Sequence, residues 1–499
     1  MGWAVRAAAA LSVAAVVWAG GRKSGALGPT RMVKLNVEVE DRRGRPVSGL
    51  AAEDFHVYDQ GRPQKIVRFR TEEGRGKRLE LRAGEGEVSN RSAEAPPHVT
   101  LILFDLLNTN MDDQGFARGR IIGALKKLEP AEYVYLYLLT IAGLIPLEGL
   151  PAPGEEAPAK AEEPWTREIQ QRLDSAMKSV NRLGPQHDNL FPLDRVNMTY
   201  SAIEGLLGRL GAVAGRKNLV WITHGVPVEI GEQHPEWGEP ADYRPMLREL
   251  SAAMERSGVA VYPVELYGPQ RDASAAVLAN VETLREIAAM TGGEVYVDAE
   301  VGEAIGDAVR STRSSYRIGY YPPPESWDGK MHRIRVKCLR KGARVVARTE
   351  YAAYPPEAAS EAEETAALRG ALGSPFDASE IAVAGEAEAA DGEARRVQVR
   401  LQVGAQDLTL LPVGERYLGG IAVTYVEYGA GGRPKALSGS HERLDLSSRQ
   451  REELMSGGIR LRSELSLDAD VSKLRAIIFD DYSGAVGSVT FTGLRKGQR

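Results

Sequence analysis

The sequence predicts an α/β fold class: a mainly parallel sheet covered by helices, plus flanking β-rich segments and a C-terminal β-sandwich. Three observations predict it. Between residues 98 and 315, short apolar runs alternate with helical stretches, as strands buried on both faces alternate with crossover helices. On either side, at 31–70 and 316–354, apolar and polar residues alternate with period two. Beyond 375, further period-two runs are spaced by turn signals, as in antiparallel sandwiches. The length of 499 residues calls for more than one core.

The N-terminus reads as a targeting segment. Arg6 precedes an apolar stretch at 7–19, and small residues follow at Val17-Trp18-Ala19 and Ser24-Gly25-Ala26. This order of charge, apolar core and small residues is that of a secretory signal, taken as 1–26. Its core is shorter than the roughly 20 residues of a membrane span. No later stretch is apolar enough to span, and no Cys follows the leader to carry a lipid. The expectation is an exported protein with no transmembrane span in the mature chain, destined for periplasm, cell surface or medium.

After the leader, 32–40 alternates as a strand and Gly44-Arg-Pro46 makes a turn. Short strands at 54–58 and 64–69 follow around Gly61. Segment 31–70 is too small to bury a core alone, so it is expected to pack with 316–354. Residues 71–97, rich in Gly, Glu and Ser and closing on Pro96-Pro97, read as a linker. Strands are then predicted at 99–104, 133–139, 219–222, 259–264 and 294–297. Helices are predicted at 114–128, 168–180, 200–212, 245–256 and 280–290, with 151–164 as a surface insert. Strand alternation returns at 317–321, 332–339 and 344–349. The Ala- and Glu-rich stretch 355–374 reads as a second linker. Runs at 396–403, 420–426, 459–461, 474–479 and 489–491 make the sandwich of 375–499.

Composition excludes several functions. A formal net charge of -5 gives no basic footprint, so no nucleic-acid partner is expected. Cys338 is the single cysteine, which rules out an intrachain disulfide. Its place in an alternating strand suits a small buried residue. There is no Gly-x-Ser-x-Gly elbow, phosphate-binding P-loop, Cys-x-x-Cys or His-Glu-x-x-His helix. His441-Glu442 begins such a helix, but Asp445 stands where the second His belongs. Gly429-Ala-Gly-Gly432 and Asp480-Asp481 with Gly484 read as turns. The seven histidines share no ligand spacing, and no enzyme is expected.

The most informative stretch runs from His98 to Gln114. An apolar run ends on Asp105, short polar residues follow, and a helix opens. Ligands of open α/β sheets sit where strands end and helices begin. A carboxylate beside hydroxyl and amide oxygens is a hard-cation chemistry. Asn108, Asp112 and Asp113 could add ligands from the same loop. The alternative is that they initiate the helix, since short polar residues cap it and acids suit its N-terminus.

Taken in order, several pieces resemble the von Willebrand factor A-related domain family first grouped from Acidobacteria. They are Val37-Glu-Val-Glu-Asp41 with Gly44, Leu50-Ala-Ala-Glu-Asp-Phe55, Leu101-Ile-Leu-Phe-Asp105 and Gly215-Arg-Lys-Asn-Leu219. Val261-Tyr-Pro-Val264, Thr291-Gly-Gly293, Ile318-Gly-Tyr-Tyr-Pro322, and Asp328-Gly-Lys330 before Ile334-Arg-Val336 continue the set, which Arg348 to Tyr351 completes. The resemblance covers nearly the whole chain. It implies an exported protein with a Rossmann-like von Willebrand factor A domain at 98–315.

Such domains commonly bind a divalent cation through Asp-x-Ser-x-Ser, a later loop Thr, and an Asp preceding Gly. Carried over singly, Asp105 matches the first Asp and Thr109 the second hydroxyl, while Leu107 falls where the first Ser belongs. Thr199 is the candidate loop Thr. In Trp221-Ile-Thr-His-Gly225, His224 stands where the last Asp precedes Gly. The resemblance therefore implies a degenerate metal-ion-dependent adhesion site. Two alternatives stay open: one divalent ion, Mg²⁺ or Mn²⁺ (Zn²⁺ if His224 ligates), or no metal.

The functional expectation is protein–protein interaction or adhesion through strand-end loops, with an unidentified protein partner. Asn108, Asp112, Asp113 and Trp237 are the expected contacts, Trp being favoured at binding hot spots. The rivals are an envelope hydrolase in which Asp105, His224 and His234 share a metal, and a purely structural envelope scaffold.

Overall fold

The computed structural model describes residues 32–73, 87–90, 99–109, 111–128, 133–148, 167–182, 192–210, 217–225, 229–230, 241–242, 246, 250, 254, 258–266, 275–297, 300–311, 314–353, 359–374, 376–389, 396–413, 415–429, 434–468, 471–482 and 484–492. The expected leader 1–26, the insert 151–164, Trp237 and His234 lie outside the described residues, as does most of the expected helix 245–256.

Strand β1 (Val33–Glu40) alternates, and its Val33, Leu35, Val37 and Val39 are buried. They find cover by pairing far along the chain. β1 runs antiparallel to β14 (Ser314–Tyr320), which also pairs with β4 (Arg68–Glu73), and β16 (Arg344–Val346) pairs with the far end of β1. A second antiparallel sheet holds β2 (Phe55–Asp59), β3 (Arg62–Gln64), β15 (Met331–Cys338) and β17 (Glu350–Ala352). One core joins the two sheets, with the rings of Phe55, Phe69 and Tyr316 5.2–5.8 Å apart. Cys338 is only partly buried at the end of β15.

The central sheet has the order β13-β12-β9-β6-β7-β8. β6 (Val99–Asp105), β7 (Val134–Thr140), β9 (Lys217–Thr223), β12 (Val259–Glu265) and β13 (Tyr296–Val297) are parallel, and β8 (Gly143–Glu148) is antiparallel to β7. Alternate residues serve opposite faces. Leu101, Leu103, Tyr137 and Trp221 pack against α3 (Pro192–Leu210) and α4 (Ala275–Thr291). Ile102, Phe104, Leu138 and Ile222 pack against α1 (Met111–Leu125), α2 (Arg167–Arg182) and α5 (Val301–Ser311). Burial on both faces explains why these strands read as unbroken apolar runs. β10 (Glu229–Ile230) and β11 (Ala241–Asp242) form a separate two-stranded ribbon.

In the C-terminal region, β5 (Val88–Ser89), β18 (Val383–Ala389), β19 (Arg396–Val403) and β23 (Ile459–Ser466) form one antiparallel sheet. The other holds β20 (Leu411–Val413), β21 (Arg416–Gly429), β22 (Pro434–Ser447), β24 (Val471–Asp480) and β25 (Val486–Thr492). They share one apolar core. The helix α7 (Ser448–Gly457) links β22 to β23 and starts on a capping box between Ser447 and Gln450.

The expected fold class is corrected. Among the described residues only the central sheet contains parallel pairs, and the other five sheets are antiparallel. The chain is β-rich and mainly antiparallel, and a mainly parallel, Rossmann-like von Willebrand factor A class does not describe it. The long uninterrupted apolar runs of the described residues belong to the central sheet alone. The shorter period-two strands outside it outnumber them.

Both expected linkers also carry structure. Segment 355–374 contains α6 (Ala359–Gly373), whose Ala371 is buried and whose Leu368 and Leu372 pack against a core cluster that includes Val426 and Phe479. Its Ala, Glu and Leu content is helix-forming as well as linker-like. In 71–97, β5 pairs with β18, and Asn90 donates to the carbonyls of Ala378 and Ile381 at 2.5 and 2.8 Å. Charges join the units further. Arg317 meets Glu380 at 2.8 Å, Arg68 donates to the Asp407 carbonyl at 2.7 Å, and Arg70 donates to the Glu380 carbonyl at 3.0 Å. Burial pushes the Glu380 carboxyl up, but Lys34, Arg317 and neighbouring cations outweigh it and bring it to about 2.

Thr291-Gly-Gly293 shows how closely the end of α4 approaches β12. Gly292, at φ +80, ends α4, and its amide donates to the Ala288 carbonyl at 2.9 Å. A Cβ on Gly293 would run into the backbone carbonyl of Val261 in β12. Gly293→Ala should therefore destabilise the protein by about 3 kcal/mol, read as a fall in the thermal or urea midpoint. An unchanged midpoint would mean that the approach of α4 to β12 is looser than described.

Candidate functional site

β6 lies at the point where the chain moves to β7 on one side and later to β9 on the other. At such a switch point the strand ends diverge and leave a crevice. Asp105 is the last residue of β6 and is fully buried. A carboxylate cannot be buried there without donors, and four converge on it. Oδ1 accepts the Asn108 amide at 3.0 Å. Oδ2 accepts the Asn108 side-chain amide at 2.8 Å, the Thr223 hydroxyl at 2.9 Å and the Trp221 indole at 3.2 Å. Burial pushes the Asp105 carboxyl up, and the four donors pull against it.

The network continues outward. Asn108 Nδ2 also donates to Thr199 Oγ1 at 2.8 Å, and Thr199 donates to the Arg195 carbonyl at 2.7 Å within α3. Thr199 thus spends its proton on the helix and offers a lone pair to Asn108, which orients the carboxamide. Thr223 in turn accepts the amide of Gly225, which sits at φ +83. One carboxylate therefore fixes the loop after β6, the turn after β9 and a side of α3.

The expected ligand residues do not converge as a set. Asp105 and Thr199 come together, but the Asn108 amide nitrogen, a donor, bridges them. Leu107 is fully buried in the core with Leu103 and Tyr200. Thr109 is buried, and its hydroxyl has no hydrogen-bond partner among the described residues, while its carbonyl accepts from Gln114 at 2.9 Å. His224 Nε2 lies 3.1 Å from Asp113 Oδ2. Burial pushes the His224 imidazole down, and Asp113 opposes this. Asp112 and Asp113 fall in the first turn of α1, where acids suit the helix dipole.

A hard divalent cation needs oxygen lone pairs free to face it. Here the Asp105 oxygens already face N–H and O–H groups, and an N–H lies where an ion would bridge Asp105 to Thr199. As arranged, these residues do not fit a resident cation. Among the described residues, no group of three or more His, Cys, Asp and Glu side chains is placed to hold a metal.

Trp221 and Thr223 were missed as partners of Asp105. The available signal was their position at the end of the apolar run 219–222, which the β6–β9 register sets beside Phe104 and Asp105. Phe116 carries no sequence signal that singles it out. It is 46% exposed in the second turn of α1, with the Arg120 guanidinium 5.1 Å from its ring center.

No family model and no curated protein matches the chain. Among solved structures, it is similar to the human COPII-coat protein Sec24c, with 13% identity over 56% of this chain and 49% of that one, at a TM-score of 0.27. It is also similar to the pilus adhesin SpaC from Lactobacillus rhamnosus GG, with 10% identity over 79% of this chain and 53% of that one, at 0.26. The open conformation of the same adhesin gives 8%, 88%, 56% and 0.24. The chain spans about half the length of these proteins. Likeness at this level assigns neither fold nor function. Among the described residues, no helix is long and apolar enough to cross a membrane.

Asp105→Ala should cost roughly 3 kcal/mol or more, because it leaves several buried donors unpaired. Thr223→Val and Asn108→Ala should each cost about 1–3 kcal/mol, and each should be non-additive with Asp105→Ala in a double-mutant cycle. Urea denaturation at fixed pH measures all three. Additive effects would show that these groups do not act as one network.

Proposed function

We propose that this chain is a protein-interaction module that engages its partner without a metal ion, through the carboxyl end of its central sheet. The observation that carries this reading is the closure of Asp105 by protein donors. Its oxygens already accept four protein hydrogen bonds, three of them on Oδ2. Its role is to hold the loop after β6 and the start of α1 in one conformation. A pre-shaped surface reduces the ordering cost of association.

The residue best suited to anchor a partner is Phe116, about 8 Å along α1 from Met111 at 1.5 Å per residue. Aromatic and Arg side chains are enriched at interface cores, and Phe116 and Arg120 present both on the same helix face. Asp113, three residues before Phe116 on α1 and 3.1 Å from His224, adds a carboxylate on the same side of the helix. Export to the envelope or beyond is part of the proposal and rests on the leader-like residues 1–26.

The test is capture of partners by crosslinking from envelope fractions, with wild type and Phe116→Asp compared in Mg²⁺ and in EDTA. The expected result is capture that chelation leaves unchanged and that Phe116→Asp reduces about tenfold or more, the effect of a hot-spot residue. Capture abolished by EDTA and restored by Mg²⁺ would overturn the metal-independent reading. Capture indifferent to Phe116→Asp would remove α1 as the contact.

A further inference from the structure

Away from the central sheet, His332 of β15 is buried between two carboxylates. Its Nδ1 lies 3.2 Å from Asp59 Oδ1, and its Nε2 lies 3.1 Å from Asp328 Oδ1. Asp59, at the end of β2, is buried, and its Oδ2 accepts the hydroxyls of Tyr320 at 2.9 Å and Tyr351 at 2.8 Å. Asp328 belongs to the irregular segment between β14 and β15, and its side chain is 37% exposed.

A neutral imidazole has one N–H and one lone pair. With carboxylate oxygens at both nitrogens, it can donate to only one of them, and the other carboxylate contact sets lone pair against lone pair; the Tyr351 hydroxyl, 3.4 Å from Nδ1, gives its proton to Asp59 at 2.8 Å. Only the imidazolium donates to both. We propose that His332 is a pH-operated latch: protonated, it ties the segment 324–330 to the β2–β15 sheet, and on losing its proton it releases Asp328.

The groups around the latch favour release on the Asp328 side. Asp59 is held from β2, from β14 through Tyr320 and from β17 through Tyr351. The Arg348 guanidinium lies 5.8 Å from the Tyr351 ring center. Asp328 is held by its own segment, through the Lys330 amide at 3.0 Å and more distantly the Lys330 ammonium at 3.9 Å. Trp327 packs edge-on against Tyr351 at 6.0 Å. Two backbone bonds continue the segment into the sheet edge: Gly329 donates to the Ala353 carbonyl and Ala353 to the Lys330 carbonyl, both at 2.8 Å. Arg333 and Glu350, the neighbouring charged pair, lie outside on the solvent side at 3.7 Å.

The sign follows from these charges. The Lys330 amide and then His332 hold the Asp328 carboxyl below its usual range, so the bridge persists into acid and fails as pH falls through that depressed value. On the other side, it fails once the imidazole has lost its proton and can donate to only one carboxylate. The latch is closed between the two.

Amide hydrogen exchange of the full chain, followed by NMR with the His332 ring titrated in the same samples, tests this. After correction for intrinsic exchange, protection of Gly329 and Ala353 should fall roughly tenfold, the effect of one charge-assisted hydrogen bond, over the pH range in which His332 loses its proton. In Asp328→Asn, a surface change that spares Asp59 and the tyrosines, protection should no longer follow the His332 titration. Protection that stays constant across that titration in the wild type, or that still follows it in Asp328→Asn, would overturn the latch.

Discussion

A carboxylate buried at the end of a central strand has to be surrounded by donors, and much of the strand-end architecture follows from meeting that demand at Asp105. The donors come from the next loop, through Asn108, and from the neighbouring strand, through Trp221 and Thr223. Asn108 then reaches α3 through Thr199. None of these groups can move alone without leaving a buried polar atom unpaired, which costs more than the bond itself contributes. The charge that would suit a cation is spent on rigidity. In the proposed reading, recognition relies on shape and on the exposed Phe116 and Arg120 beside this edge.

The same interlocking holds between regions of the chain. The flanking strands before and after the central sheet share one core, so neither flank is complete without the other. β5, from the segment that looks like a linker, completes a C-terminal sheet. Phe376, just beyond α6, is buried in the core beneath α3 and α4. Arg68, Arg70 and Arg317 on the flanking sheet meet Asp407 and Glu380 of the C-terminal region. The Tyr262 hydroxyl, from the central sheet, reaches Glu38 on β1 at 3.2 Å.

What the sequence could convey depended on burial. The runs at 99–104, 133–139, 219–222 and 259–264 coincide with β6, β7, β9 and β12, because strands covered on both faces are apolar throughout. β3, β5 and β8 are short or lie at edges, and give no such signal. α6 was hidden by composition, since Ala and Glu suit both a linker and a helix. The fold class was misjudged because the strongest pattern belongs to the least representative sheet. At the site, Asp105 stood out as the polar end of an apolar run. Its donors did not, because the distance from Asp105 to Thr223 is set by strand register over more than a hundred residues. The closure by Asn108 was equally hidden: its side chain reads as a helix-initiating amide, and only the tertiary position of Thr199 gives it a second acceptor.

The central claim is that protein donors, not a cation, complete the Asp105 site. Paramagnetic relaxation tests it directly: Mn²⁺ is titrated into ¹⁵N-labelled protein while the Asn108 side-chain amide and the Trp221 indole are observed. The account predicts that neither signal broadens selectively at one equivalent of Mn²⁺, and that both keep hydrogen-bonded chemical shifts in EDTA. Selective loss of both signals at one equivalent, reversed by EDTA, would contradict it.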